Sequence, residues 1–452
     1  MAQTVKQLQT QFESWANAHP DQMMKSYQSL LENVAASPAK YKGEPVEFLY
    51  QPVFISQERW EDLGKITRQM MDLIRHVTQV YLEDPAFRRH FAFPPLMEQL
   101  ILKDPGYEEA VPMTRIDLFY NLESGEFKFC EINTDGSSGM TEARELQQII
   151  GDSPGVEALG LVPGQLNQGE LFDSWVTAFR SNYDQWCENH HCPAAKEPAV
   201  AIVDLMSKEA PSEFVEFQKA FEAAGMPCVI VDARHLTWNE GKLMAGDVVI
   251  DAVYRRLVTW ELIEHEAQLQ PLIQAILEDA VCVIGPVRSQ IPHNKRFFAV
   301  LHDEEATAFL SQDERDFVRR HVPFTAALEA SDPQKWQAWI DQKDLYLIKP
   351  DDRYASYGVY AGRDFSTEEW TQKLNTALTQ SYLIQAYCHV PQMPMAVVTA
   401  DQVAFIPFHY LIGCFVYNGA FQGPYIRVGT KSIIGSVVEC FTVPAYWIAD
   451  QV

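Results

Sequence analysis

The sequence predicts a mixed α+β and α/β protein built from several units, and changes of hydrophobic period along its 452 residues carry that prediction. Apolar residues recur at helical spacing through the first hundred positions. From about residue 196, strand-like and helix-like runs alternate, and the C-terminal third is dominated by strand patterns.

Residues 1–105 read as a helical scaffold, most clearly in "QERWEDLGKITRQMMDLIRHVTQVYLEDPAFRRHF". Residues 106–195 hold a hairpin, "TRIDLFYNLESGEFKFCEIN", followed by helices. Residues 196–292 form a βα unit: the strand "AVAIVDL", the helix "SEFVEFQKAFEAAG" ending on Gly225, the strand "PCVIVDA", and a further strand in "DVVIDAVYRRL". Residues 293–452 are rich in strands: "LYLIKP", "GVYAG", "SYLIQAYC" and "FIPFHYLIGCFVYNGAFQGPYIRVG", the last with an Asn418-Gly419 hairpin turn.

Composition narrows the function. A hydrophobic fraction of 47% suits a folded, water-soluble protein, and no run approaches the roughly 18 apolar residues of a membrane span. The start "MAQTVKQLQTQFESW" has no signal-peptide character, so a cytoplasmic location is expected. A net charge of -25 disfavours nucleic acid and anionic membrane as partners, since both need clustered Lys or Arg. Eight cysteines without a repeating spacing read as reduced residues rather than a disulfide framework.

The stretch "FCEINTDGSSGM" ends a strand on oxygen-bearing and small residues. If the preceding turn centres on Ser124, Asp117 faces Glu131 and Arg115 faces Asn133 on one face, with Phe119 and Phe129 next along it. Opposed carboxylates need a positive charge between them. Either a divalent cation such as Mg²⁺ supplies it, held by Asp117, Glu131 and Asn133, or Arg115 neutralises one acid on a solvated face. After the strand, "TEAREL" begins a helix with Thr141 as the expected N-cap, and its free N–H groups would suit an anion.

The chain resembles the glutathionylspermidine synthase family, whose synthetase part is an ATP-grasp ligase with permuted elements. The resemblance rests on "RIDLF", "FCEINTDGSSGM", the lysine of "HNKRFFAVLHDE", "LYLIKPDDRYASYGVYAG", "LIQAY" and "YIRVG", spread over residues 113–429. It implies an ATP-grasp-like fold, with the βα unit on the substrate side and the C-terminal unit binding ATP. It also implies that Asp117, Glu131 and Asn133 hold Mg²⁺ and that Arg115 stabilises charge on the transferred phosphoryl group. Lys295 and Lys349 correspond to the lysines on the ATP phosphates, and Arg427 to a late arginine near them. Gln385 and Tyr387 sit where the family meets adenine. Ala355, Ser356 and Gly358 resemble the loop over the phosphates. Ser138 matches one of two small positions against the carboxylate substrate, and Gly136 departs from the pattern at the other. The reaction implied joins a small carboxylate, such as glutathione or another peptide, to an amine such as a polyamine. A peptide-bond ligase for another metabolite or a non-catalytic nucleotide-binding protein would use the same motifs.

From the residues alone, Lys295 could be a solvated lysine and Lys349 a strand-edge lysine. Arg427 could pair with an acid on the last hairpin. The segment "CENHHC" reads as a surface loop, and "VGTKS" lacks the glycine and Gly-Lys pair of a phosphate loop. Amide formation from a free carboxylate requires phosphoryl transfer, which depends on positioned cations more than on a protein nucleophile.

Overall fold

The computed structural model describes residues 4–161, 164–206, 210–352, 357–435 and 438–449. At its centre lies an antiparallel sheet whose order is Phe441–Val443, Ala420–Gly429, Val403–Tyr417, Met113–Tyr120, Phe127–Asn133. The strand Val403–Tyr417 is 15 residues long, which lets its first half also pair with Gln392–Val398 while its second half pairs with Met113–Tyr120. The turn to Ala420–Gly429 uses Asn418 and Gly419, both with positive φ, as a two-residue hairpin turn of this hand requires.

One face of this sheet is apolar. Ile116, Leu118, Tyr120, Ile412, Cys414 and Val416 pack in the main core with Leu63, Met70, Ile74 and Val77 of the helix Gln57–Glu83. Ser56 starts that helix by accepting the Arg59 N–H, and its apolar residues line one side at helical spacing. Each fully buried aliphatic side chain contributes about 1.5–3 kcal/mol, so the sheet is held against the helix by this face and its other face is left for polar groups.

A parallel four-stranded sheet has the order Cys282–Ile284, Ala252–Arg255, Val200–Asp204, Cys228–Asp232. Its strands are buried on both sides. Val200 and Ile202 join one cluster with Trp175 and Phe217, whereas Ala201 and Val203 join the main core with Leu272. The helix Ser212–Ala223 stops before Gly225, whose φ of 78° marks the left-handed turn after a helix end. A third sheet, Thr325–Ala327, Tyr382–Ala386, Tyr346–Pro350, Tyr360–Ala361, is antiparallel and packs on Trp339, Trp370 and Leu374.

Two features depart from the expected organisation. The hairpin and the last strands share one sheet, which runs across the expected division between residues 106–195 and 293–452. The N-terminal scaffold also supplies a strand, Val53–Ser56, paired in parallel with Ala445–Ile448; four residues are too few to register against the long helix beside them. Among the described residues no helix is long and apolar enough to cross a membrane.

Candidate active site

The hairpin register is Arg115 opposite Asn133 and Asp117 opposite Glu131. Nearer the turn the pairs are Leu118–Phe129, Phe119–Lys128 and Tyr120–Phe127, so Phe119 and Phe129 are not partners as expected. The turn is centred half a residue earlier than Ser124, and a bulge at Cys130 restores the register beyond it. Consequently Phe129 turns into the main core, while Cys130 and Glu131 both line a cleft with Phe119, Arg115 and Asn133.

This cleft has a volume of about 650 Å³ and lies between the three sheets. Asp117 lies just behind its wall, bonded to the lining residues Arg115, Asn133 and Arg427, and is fully buried. Its Oδ1 accepts Arg115 Nε at 2.8 Å, and its Oδ2 accepts Arg115 Nη2 at 3.2 Å, Arg427 Nη2 at 2.5 Å and Asn133 Nδ2 at 3.2 Å. The positive charge between the opposed acids is therefore supplied by two arginines. Arg427 reaches past Val403–Tyr417, the other strand of its own hairpin, to this acid; Gly413, which pairs with Asp117, leaves the room, since a Cβ there would come within 2.8 Å of Asp117 Oδ1.

Glu131 faces the cleft. Burial pushes its carboxyl up, but Lys295, Lys349, Arg427 and Arg115 outweigh that and hold it at about 2. Lys295 Nζ is 3.9 Å from Glu131 Oε2. Lys349 ends the strand Tyr346–Pro350, is 95% buried by its 5% exposure, and donates to the Cys130 carbonyl at 3.5 Å. Burial, with Lys295 adding to it, lowers the Lys349 ammonium to about 8. Thus four cations surround two carboxylates, Asp117 and Glu131, an imbalance that suits a polyanion. The buried Nε of Arg427 has no hydrogen-bond partner, which fits an arginine with donor capacity left for a ligand.

Under Arg115 and Arg427 lies the Tyr425 ring, 5.6 and 5.4 Å from the two guanidinium carbons. Its hydroxyl donates to Glu142, whose carboxyl is raised by burial. For a hard cation, Glu131 and Asn133 are the cleft-facing oxygen donors of the expected set, and Asp117 could join them only by releasing an arginine. Among the described residues no group of three His, Cys, Asp or Glu side chains could hold a metal. The donor set therefore fits a hard divalent cation that would take most of its oxygen ligands from a bound anion rather than from the protein.

The remaining expected residues fall as follows. Gln385 is buried and donates to Thr325 Oγ1 at 2.8 Å, while the segment from Gln385 to Cys388 lines the cleft. The Tyr387 ring is covered by the Arg363 guanidinium at 3.8 Å. Gly358 has a φ of 77°, and a Cβ there would approach Tyr382 Oη. Ala355 and Ser356 lie outside the described residues. Ser138 is exposed in the cleft, and its carbonyl accepts Arg115 Nη1 at 2.6 Å. Gly136 has a φ of 66°, and a Cβ would come within 2.9 Å of the Arg256 carbonyl. Two expectations are corrected. The N-cap of the helix Met140–Gly151 is Gly139, with a φ of 110°, rather than Thr141. Its first N–H groups are also not open to an external anion, because Gly139, Met140 and Thr141 all donate to Glu213 Oε2. The segment around "CENHHC" closes a helix, with Cys187 buried and His190 Nδ1 on the Trp186 carbonyl.

Sequence patterns missed the other end of the cleft, formed by Asp204, Arg256, Glu261 and His293. Burial raises Asp204 to about 6, and burial with Asp204 and Asp135 raises Glu261 to about 7. Asp204 closes a parallel strand, a position where ligands collect in open α/β sheets, and that signal was available.

No protein-family model matches the chain, and no curated protein matches it. Among solved structures, a glutathione synthetase-like effector, GSS30 from Globodera pallida in its apo form, matches with a TM-score of 0.62 at 11% identity, over 95% of this chain and 98% of that one. D-cycloserine synthetase DcsG matches with a TM-score of 0.30 at 12% identity, over 56% of this chain and 92% of that one. The ATP-grasp ligase PsnB, complexed with a phosphomimetic precursor variant, Mg and ADP, matches with a TM-score of 0.31 at 14% identity, over 56% and 89%. The chain has an ATP-grasp-like fold, and its whole length is similar to that of the glutathione synthetase-like effector.

Proposed function

We propose that the protein is an ATP-dependent carboxylate–amine ligase that forms an amide through an acyl phosphate. The observation that carries this reading is the convergence of Arg115, Lys295, Lys349 and Arg427 around Glu131 in one cleft. Phosphoryl transfer needs positioned positive charge along the triphosphate and the attacking carboxylate. Lys295 and Lys349 hold the phosphates, and Arg115 and Arg427 neutralise charge where the acid meets the γ-phosphoryl group. Glu131 and Asn133, with Asp117, provide the oxygen ligands for Mg²⁺, which would polarise the transferred group. The segment 385–388 borders the base, and Ser138 faces the acid.

The acid is glutathione or a similar small peptide, and the amine an aliphatic one. The motif set resembling glutathionylspermidine synthases supports this choice, as does the whole-length likeness to a glutathione synthetase-like effector. Incubation with ATP, Mg²⁺, a peptide pool and an amine pool, followed by mass spectrometry, tests it. Amide product with equimolar ADP is expected. Nucleotide binding without ADP or amide would identify a non-catalytic protein instead.

A further inference from the structure

The region of the cleft beyond Lys295 contains a group that the phosphate chemistry does not use. His293 closes the short helix Gln290–His293, lines the cleft, and has a side chain only 10% exposed. Its Nδ1 has no hydrogen-bond partner. Its Nε2 lies 4.0 Å from Asp352 Oδ1, an oxygen that likewise has no hydrogen-bond partner. The other Asp352 oxygen accepts Gln290 Nε2 at 2.7 Å, which fixes the carboxylate. An amide thus orients a carboxylate, and the carboxylate faces one nitrogen of an imidazole whose second nitrogen is buried and unused. At 4.0 Å the pair is at ion-pair separation rather than hydrogen-bonded, and contacts between a base and its orienting acid are often this long before substrate binds. Buried polar atoms are nearly always paired, so the orphan Nδ1 of this cleft-lining histidine is a proton-accepting position that nothing in the protein fills.

We propose, resting on the ligase reading above, that His293 is the catalytic base that takes a proton from the incoming amine, with Asp352 as its positioning residue.

An aliphatic amine reaches the site as an ammonium ion, which has no lone pair and cannot attack. Asp204 and Glu261 lie on the same cleft wall, where their ionised forms attract that ion, and among the described residues neither forms an ion pair. With its hydrogen on Nε2 facing Asp352, His293 accepts one ammonium proton at Nδ1. The freed lone pair forms the carbon–nitrogen bond to the acyl phosphate carbonyl. The carbon–oxygen bond to phosphate breaks, its electron pair leaves with the phosphate, and the second nitrogen proton passes to that phosphate as hydrogen phosphate. Asp352 stabilises the imidazolium until its proton returns to water.

The test compares two kinds of nucleophile with glutathione, ATP and Mg²⁺: hydroxylamine, which is mostly uncharged at neutral pH, and an aliphatic series from methylamine to spermidine, which is charged. In His293→Gln, amide formation with the aliphatic amine should fall by about 100-fold or more, the usual worth of a general base, while hydroxamate formation falls by less than about threefold. Asp352→Asn should show the same split at smaller size. Equal losses with both nucleophiles, or the split appearing in Glu261→Gln instead, would remove His293 from the role. Hydroxamate from the unaltered protein with no amide from any aliphatic amine would also overturn the proposal, because a site holding a base should use them. If the unaltered protein yields neither product nor ADP, the glutathione ligase reading itself fails and this role with it.

Discussion

Arg427 and Asp117, on strands separated by a third, meet at 2.5 Å just behind the wall of the cleft, and Arg115 also binds the same carboxylate. Asp117 is completely buried, so its carboxylate is compensated by these side chains rather than by solvent. The three side chains therefore behave as one unit: burial would expel a lone charge, but each arginine offsets part of the cost.

Removing the acid leaves two buried guanidinium groups without their counter-charge. Asp117→Asn should destabilise the fold by about 3–5 kcal/mol, measured by urea unfolding. A loss under about 1 kcal/mol would mean that solvent reaches this site after all.

Glu131→Gln keeps the shape of the side chain but removes the charge that the surrounding cations hold at about 2. ADP formation should fall by about 100-fold or more with an unchanged far-ultraviolet spectrum, since a transition-state charge contact is lost. Near-normal turnover would take Glu131 out of the metal set.

Lys349 should make nucleotide binding depend on pH. Its ammonium titrates at about 8, so it is charged and attractive to phosphate below that value and increasingly neutral above it. Calorimetry with a non-hydrolysable ATP analogue should show affinity falling as pH rises from 7 to 9. Lys349→Met should bind weakly throughout and lose that slope.

Glu261 predicts a stability effect of definite sign. Burial, reinforced by Asp204, raises its carboxyl to about 7, so the folded state favours the protonated form. Its stabilising contribution is complete below the unfolded value of about 4.3 and is lost as pH rises through 7. Glu261→Gln should leave Tm nearly unchanged at pH 4 and raise it by about 1–3 °C at pH 8. A drop at pH 8 would mean that Glu261 is paired with a cation in solution.

Gly136 stands at a φ of 66° with the Arg256 carbonyl and Val258 close by. Gly136→Ser should cost about 1–2 kcal/mol from the left-handed backbone alone, more with the contact, and a neutral result would require the loop to shift.

Local pattern revealed much of the polar face. The opposition of Asp117 to Glu131 followed from alternation and a turn, although the register near the turn is different: the bulge at Cys130 shifts one strand by a residue, and a bulge leaves no mark in a period-two pattern. Lys295, Lys349 and Arg427 were legible only as motifs in an ordered series. Nothing along the chain says that Lys349 is buried or that Arg427 reaches across a strand to Asp117.

The sequence by itself determined the long helices and the main strands, where the Asn418-Gly419 turn falls, and which oxygen and nitrogen groups stand ready on the hairpin, because those depend on neighbours a few residues away. Tertiary structure decided who neutralises whom. It put Glu213 on the helix start meant for an anion, both arginines on Asp117, and His293 with Asp204 and Glu261 on one wall. Charge pairing and burial act through space between strands hundreds of residues apart, and periodicity carries no record of that distance.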